Sequence, residues 1–162
     1  MDDELEHNRQ AMHAVFAEDG YAGEIGARLT DWGGGWSRVE LTVAAGHANF
    51  AGLLHGGVTF GLGDAAFAVA SNSWGRLSVA LSVDVQFLGT VPPGTALVAT
   101  ARERHRTKRT GAYLIEVRSC PDGGPSSDTE EPLIGSLHAL VHRTDRWLLG
   151  DDAWSDHWRE TH

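Results

Sequence analysis

Apolar and polar residues alternate most regularly in the middle of the chain. From 79 to 87 every odd position is apolar, whereas the even positions are polar or small. A period of two is typical of a β-strand with one buried face. The glycine run 33–35 fits a turn between two earlier strands. The further strand candidates are 36–44, 95–106, 111–120 and 133–142.

Two segments lack this alternation and predict helices. Residues 3–18 place Leu5, Met12 and Phe16 on roughly one face. Residues 58–74 are apolar on nearly every face, and such a helix belongs in the middle of a structure. Consecutive strands with short connections favour antiparallel pairing. The sequence therefore predicts an α+β fold, in which an antiparallel sheet of five to six strands wraps a central apolar helix.

Residues 1–143 are accordingly expected to form one domain, which is followed by a C-terminal segment over 144–162. This segment carries Trp147, Trp154 and Trp158, and the last two are one helical step apart. Three indole rings in water would expose a large apolar surface. We therefore expect a short helix here that packs on the domain or on a partner subunit.

The composition places the chain among ordinary globular proteins. It has 162 residues, of which 41% are hydrophobic and 22% charged, and its formal net charge is −9. This acidity argues against general binding to nucleic acid, and no apolar run is long enough to span a membrane. The stretch 121–132 predicts an acidic hairpin loop. Because the acidic N-terminus does not resemble a secretory signal and Cys120 has no second cysteine to pair with, we expect a cytoplasmic protein.

Candidate chemistry is concentrated at the start of the predicted central helix. Gly56 and Gly57 lie just before it, where backbone N–H groups are free and the helix dipole is positive. Because both residues lack a side chain, a ligand carbonyl can approach closely, as an oxyanion site requires. Asp64, two turns further on, is either a functional carboxylate with a raised pKa or a buried acid that bonds a neighbouring loop. His55 alone is more typical of a structural turn residue.

The spacing of these residues resembles that of a known family. The pattern Asn-x5-His-Gly-Gly-x6-Asp over 49–64 is similar to that of the hotdog-fold acyl-CoA thioesterases, and within them to the phenylacetate-degradation (PaaI-type) group. The segments 66–75, 83–88 and 110–113 extend the resemblance. It covers roughly residues 20–143.

The resemblance implies a curved sheet around the helix, dimers that pair sheets edge to edge, and homotetramers built from these dimers. It places Asp64 of one subunit opposite Gly56 of the other, at the dimer interface. The Gly56 N–H, beside Gly57, would polarise the thioester carbonyl, and Asp64 would act as nucleophile or general base. Asn49 would position the water or the carbonyl, and His55 would hold the loop and bond the thioester oxygen. No cofactor is implied, because coenzyme A is part of the substrate.

A basic cluster stands out against the acidic chain. One interpretation is an ordinary solvated strand face. We favour the alternative, in which Arg106, Lys108 and Arg109 attract the phosphates of CoA. Thr110 and Gly111 would then approach the pantetheine or phosphate arm. The cluster consists of Arg102, Arg104, Arg106, Lys108 and Arg109.

The residues indicate the identity of the acyl group less clearly than they indicate the reaction. Phe60 and Phe67 are candidates for lining its pocket, although both suit a place in the core equally well. An aryl or arylacetyl group, and a role in the catabolism of aromatic compounds, follow from the PaaI-type resemblance. Where relatives often have Arg-Pro after the strand over 79–87, this chain has Gly89-Thr90, which alters the acyl pocket or the approach of CoA.

The expected function is therefore hydrolysis of an acyl-CoA to a free acid and CoA. A medium-chain fatty acyl-CoA is the alternative substrate class. A non-catalytic acyl-CoA-binding module and a hotdog hydratase are the alternative functions. No His-Glu-x-x-His pattern or set of cysteine ligands predicts a metal site.

Overall fold

Six strands form one antiparallel sheet that packs around a long central helix, as the sequence predicts. The computed structural model describes residues 3–120 and 131–162, so most of the predicted loop over 121–132 lies outside the described residues. The helices are α1 (Asp3–Ala17), α2 (Gly20–Glu24), α3 (Gly56–Asn72) and α4 (Asp156–Thr161). The strands are β1 (Arg28–Gly33), β2 (Trp36–Thr42), β3 (Arg76–Phe87), β4 (Ala96–Arg106), β5 (Thr110–Cys120) and β6 (Leu133–Trp147).

The core lies between the sheet and the central helix. In space the strands follow the order β1-β2-β4-β5-β6-β3, so β1 and β3 form the two edges. The inward positions of β5 and β6 are apolar, and Ile115 and Leu137 are fully buried against α3. Leu62 and Ala66 of α3 are equally buried, because the sheet covers that side of the helix. The remaining side of α3 carries the candidate site.

Helix α3 begins two residues earlier than the predicted 58. Gly56 and Gly57 are its first residues rather than a preceding loop, because His55 is the N-cap and its Nδ1 accepts a hydrogen bond from the Gly57 N–H at 2.8 Å. The helix ends at Asn72 instead of 74. Gly75 follows with φ +85°, a conformation that favours glycine, and there the chain turns into β3.

The N-terminal helix ends at Ala17, and a second short helix, α2, was not predicted. Asp19 caps it by accepting a hydrogen bond from the Ala22 N–H at 2.9 Å, so Gly20 starts a helix rather than only ending one. This cap turns the chain back towards α3. As a result, α2 lies beside the central helix.

The C-terminal segment packs on the rest of this chain. Strand β6 runs through the expected boundary at 143 to Trp147, which pairs with Arg76 of β3. Trp154 and Trp158 are buried together with Met12 and Trp32, in a second apolar cluster beside α1. This contact follows from the need to bury the indole rings.

Candidate active site

The first turn of α3 offers an unused backbone donor. Because the His55 ring accepts from the Gly57 N–H, the proton of a neutral imidazole lies on Nε2, which is exposed with the ring. Among the described residues, the Gly56 N–H donates to no acceptor. It lies at the positive end of the helix dipole. The Gly56 N–H can therefore donate to a carbonyl oxygen of a ligand, as predicted for an oxyanion site.

The loop before α3 is held by Asn49. Its Oδ1 accepts hydrogen bonds from the Ala51 and Leu53 N–H groups at 2.9 and 3.1 Å, so the side chain organises a tight turn. Its amide NH2 donates to none of the described residues, and it stays available to a ligand or water. Thr90, where the family resemblance leads us to expect proline, accepts a hydrogen bond from the Leu54 N–H at 3.2 Å. The departure at 89–90 thus anchors this loop.

Asp64 lies on the side of α3 that the sheet leaves uncovered, and it is half-buried. Burial raises the pKa of its carboxyl above the ordinary value, and the negative charge of Asp19 raises that pKa further. Tyr21 of α2 packs on the same side, since a Cβ added at Gly61 would lie 2.6 Å from the Tyr21 hydroxyl oxygen. Sequence analysis missed Asp19 and Tyr21, because nothing local predicts that α2 folds back onto α3.

Gly56 and Asp64 do not converge on one atom within a single chain. They are eight residues apart in the same helix, which separates them by about 12 Å along its axis. An oxyanion donor and a carboxylate must both lie within about 3 Å of the same reacting carbonyl group. A site that uses both residues therefore requires Gly56 from a second copy of the chain.

The aromatic candidates divide between the core and the surface. Phe67 is only 2% exposed and packs against Tyr113, with ring centroids 5.5 Å apart, so it occupies the core position that the sequence left open. Phe60 is partly buried on α3, one turn before Asp64. Phe87, which sequence analysis assigned only to a strand, covers Gly56: a Cβ added there would lie 3.1 Å from its ring. Its apolar position at the end of β3 was the only signal.

The predicted basic residues meet two arginines that the sequence did not single out. Lys108 and Arg109, at the turn between β4 and β5, line a cavity of about 440 Å³ together with His142, Asp145, Arg76 and Arg143. Arg76 and Arg143 are 5% and 3% exposed. The period-two pattern of β6 continues to position 143, so Arg143 points inward, but the predicted strand stopped one residue short. The cavity has the charge that a phosphate group needs.

Arg143 is buried in this cavity close to other positive charges. Burial, followed by the positive charges of Arg106 and Arg76, lowers the pKa of Arg143 to about 10. Arg143 donates to the main-chain carbonyl oxygens of Thr107 and His162. Arg76 already pairs with Asp145 at 2.7 Å, so an anion added to the cavity would be attracted mainly by Arg143 and by the exposed Lys108 and Arg109.

Three other predicted residues of this region have structural contacts. Arg106 pairs with Glu103 at 3.2 Å and stacks on Trp74, 4.3 Å from its ring centroid, so its charge is already balanced. The Thr110 hydroxyl lies 2.8 Å from that of Thr107 and stabilises the turn. Gly111 is buried, and a Cβ there would lie 2.8 Å from the Tyr113 ring. Of the three cations predicted to bind phosphate, Arg106, Lys108 and Arg109, the last two are exposed.

Strand β3 presents an open, apolar edge. It ends the sheet, and the side chains of Val79, Leu81, Phe87 and the following Leu88 are about half exposed. A long exposed edge with large apolar side chains is a template for pairing with another strand. This edge passes Gly56 at the position of Phe87.

Neither a membrane-spanning helix nor a metal-binding cluster is present in residues 3–120 and 131–162. No helix in these ranges is long and apolar enough to cross a membrane. No group of His, Cys, Asp and Glu side chains among them is arranged to hold a metal ion.

Comparison with known proteins agrees with this fold. The Thioesterase superfamily matches residues 51–125. Acyl-coenzyme A thioesterase PaaI of Escherichia coli is 39% identical over 67% of this chain and 77% of its own length. A protein of Archaeoglobus fulgidus that is named as an esterase is 39% identical over 59% of this chain. The matched region of this chain covers 62% of the length of that protein. The solved structure of the E. coli PaaI protein from the phenylacetic acid degradation operon superposes with a TM-score of 0.75 at 30% identity, covering 89% of this chain and 96% of that one.

Proposed function

We propose that this chain, which belongs to the PaaI-type acyl-CoA thioesterases of the thioesterase superfamily, hydrolyses a small aryl or arylacetyl acyl-CoA to the free acid and CoA. The observation that carries the mechanism is a half-buried carboxylate, Asp64, on the uncovered side of a helix whose first N–H, at Gly56, has no acceptor among the described residues. The family supports the reaction, and these two groups supply its chemistry.

In the proposed reaction the Gly56 N–H donates to the thioester carbonyl oxygen and stabilises the negative charge that develops there. Asp64 either takes a proton from the water that attacks the carbonyl carbon, or attacks that carbon itself to give an anhydride that water then opens. The C–S bond breaks, and the CoA thiolate leaves and is protonated by solvent. The free amide of Asn49 orients the water or the carbonyl, and the His55 ring holds the turn and reaches the thioester oxygen through Nε2. Asp64 and Gly56 are the central residues of this site. Gly57, which has no side chain, leaves room for the ligand to approach.

In this proposal the active form is a homodimer, in which β3 of one subunit pairs with β3 of the other. The distance between Gly56 and Asp64 within one helix calls for a second copy, and the apolar β3 edge is where that copy fits. Pairing across a two-fold axis makes the two strands antiparallel. Dimers would assemble further into the homotetramer that the family resemblance implies.

The same pairing favours the basic cavity as the site for the CoA phosphates. Antiparallel strands bring the Arg76 end of one β3 close to the partner's Phe87 end, where Gly56 lies. The cations of one subunit would then stand beside the oxyanion donor of the other. Lys108 and Arg109 are exposed, and they are the residues best placed to bind phosphate, while Arg106 acts through Glu103 and Trp74.

An aryl substrate is supported by Phe60 and Phe87, which flank the site with partly exposed rings, and by the similarity to PaaI. No cofactor enters the proposed chemistry, because each proton transfer has an acceptor in Asp64, water or solvent. A medium-chain fatty acyl-CoA would use the same residues and is the second candidate substrate.

Thiol release from phenylacetyl-, hydroxybenzoyl-, hexanoyl- and palmitoyl-CoA tests this function. We expect the aryl esters to be hydrolysed with the highest kcat/KM, because the surroundings of Asp64 offer apolar surface for one ring. Highest kcat/KM for hexanoyl-CoA would replace the aryl substrate by the medium-chain one. If no ester releases thiol and the folded protein still binds CoA, the chain is a non-catalytic acyl-CoA-binding module.

A further inference from the structure

A cavity between the N-terminal helices and the central helix lies next to Asp64. Its volume is about 240 Å³. Its floor is apolar and buried, formed by Val39, Ala65 and Val69. Phe16 and Leu29 form part of its wall and are partly buried. We call it the N-terminal cavity.

The mouth of the N-terminal cavity is polar and borders the catalytic carboxylate. His13, Asp19 and Arg28 line it and are exposed, so they lie on the solvent side. Asp19 is close enough to Asp64 for its charge to act on that carboxyl. Ala65, on the floor, follows Asp64 directly in α3. Ala65 and Asp19 thus connect this cavity to Asp64, so it offers apolar space in the same subunit to an acyl group whose carbonyl carbon is beside Asp64.

The space exists because small residues line it. Ala22, Gly23 and Ala27 of the α2 region, together with Ala65, leave room that larger side chains would fill. A cavity of about 150 Å³ with apolar walls is known to take up a benzene ring. About 240 Å³ is enough for one ring with a short linker, and it is too small for a long acyl chain.

We propose that the N-terminal cavity receives the acyl group of the substrate and that Ala65 and Val69 set the length that it admits. This inference rests on the proposed thioesterase function and adds the residues that decide its specificity. It assigns a role to α2, which was not predicted from the sequence: Ala22 and Gly23 of α2 line the acyl site. Ala22, Ala65 and Val69 are specificity-determining residues in this assignment, and the acid–base chemistry stays with Asp64.

Filling and enlarging the cavity tests the assignment. In Ala65→Leu the added carbons occupy the floor, and kcat/KM for phenylacetyl-CoA should fall by about tenfold or more, whereas acetyl-CoA, whose methyl group does not reach the floor, should change little. In Val69→Ala the floor recedes, and octanoyl-CoA should gain in kcat/KM relative to phenylacetyl-CoA. Ala14→Leu, the same substitution on the exposed side of α1, is the matched control. It should leave unchanged the kcat/KM of phenylacetyl-CoA relative to acetyl-CoA and to octanoyl-CoA.

The outcomes separate the assignment from the function on which it rests. If the wild type hydrolyses none of these esters, the proposed function fails. If it hydrolyses them and the relative kcat/KM values of the esters in Ala65→Leu and Val69→Ala equal those of the wild type, only the cavity assignment fails. Thermal unfolding shows which variants fold, and if Ala65→Leu does not, Ala22→Leu fills the cavity from α2 and must give the same selective loss.

Discussion

Replacing Asp64 by Asn is expected to lower the rate of thioester hydrolysis by about 10²-fold or more, which is the range for loss of a positioned general base. The amide has nearly the same shape as the carboxyl, but it neither accepts a proton from water nor attacks a carbonyl. Thiol release under single-turnover conditions measures this effect without product release. Asp152→Asn, which changes an exposed carboxylate in the turn before α4, is the control and should leave the rate unchanged.

The same substitution should stabilise the fold at neutral pH. The pKa of Asp64 is raised in the folded protein, so its proton is held more tightly there than in the unfolded chain. The stability that this proton contributes is fully present below the ordinary pKa and is lost as pH rises through the raised folded value. Above that raised pKa the wild type has lost it, whereas the Asn variant keeps a neutral group at every pH. Urea unfolding should therefore give Asp64→Asn the higher free energy of unfolding at pH 7, with the difference vanishing in acid.

The activity should follow the same ionisation. Because Asp64 must be charged to act, kcat/KM should fall on the acid side through a pKa that is higher than that of an ordinary carboxyl. An Asn variant that retains wild-type turnover, or that is less stable than the wild type at pH 7, would show that Asp64 is a structural acid.

Trp154→Ala is expected to cost about 3–5 kcal/mol of unfolding free energy, which is typical of removing a large aromatic side chain from a core. The ring is 3% exposed, and it stacks on Trp158 with centroids 5.5 Å apart. Its Nε1 donates to the Leu148 carbonyl oxygen at 2.8 Å, and its ring covers Gly75 at the turn into β3. The residue thus ties the C-terminal segment to the end of the central helix.

Urea unfolding of the Trp154 variant measures this loss, and Phe50→Ala is its matched control. Phe50 is fully exposed, so removing its ring should leave the free energy of unfolding unchanged. A Trp154 variant as stable as the wild type would mean that the C-terminal segment is an appendage that unfolds by itself.

Local pattern was sufficient for the sheet and the central helix. The period of two in β3 and the all-round apolar surface of α3 are strong signals, and burial then dictates that one wraps the other. Helix ends were shifted because they depend on caps: the His55 ring starts α3 two residues early, and Asp19 starts α2 where only a helix end was expected. Such bonds involve one side chain and leave little trace in periodicity.

The sequence was sufficient to propose the residues of the site, but not to predict what surrounds them. Gly56 stood out as a residue without a side chain at the start of a helix, and Asp64 as a carboxylate within an apolar one. Arg76 and Arg143 are distant in sequence, and they meet only because β3 pairs with β6. Asp19 is likewise close to Asp64 only because α2 packs against α3. These charges decide pKa and ligand affinity, and they follow from strand order and helix packing rather than from any local motif.

A mixed dimer tests the central claim, that each site takes Asp64 from one subunit and Gly56 from the other. Gly56→Pro removes the N–H donor while suiting the first position of a helix, and the extended backbone of His55 suits a following proline. Two differently tagged chains, Asp64→Asn and Gly56→Pro, are co-expressed, and the dimer that carries both tags is purified. Each homodimer should be inactive, whereas the mixed dimer has one intact site of two and should release thiol at about half the wild-type rate. A mixed dimer as inactive as its parents, or a protein that is monomeric and active, would contradict the account.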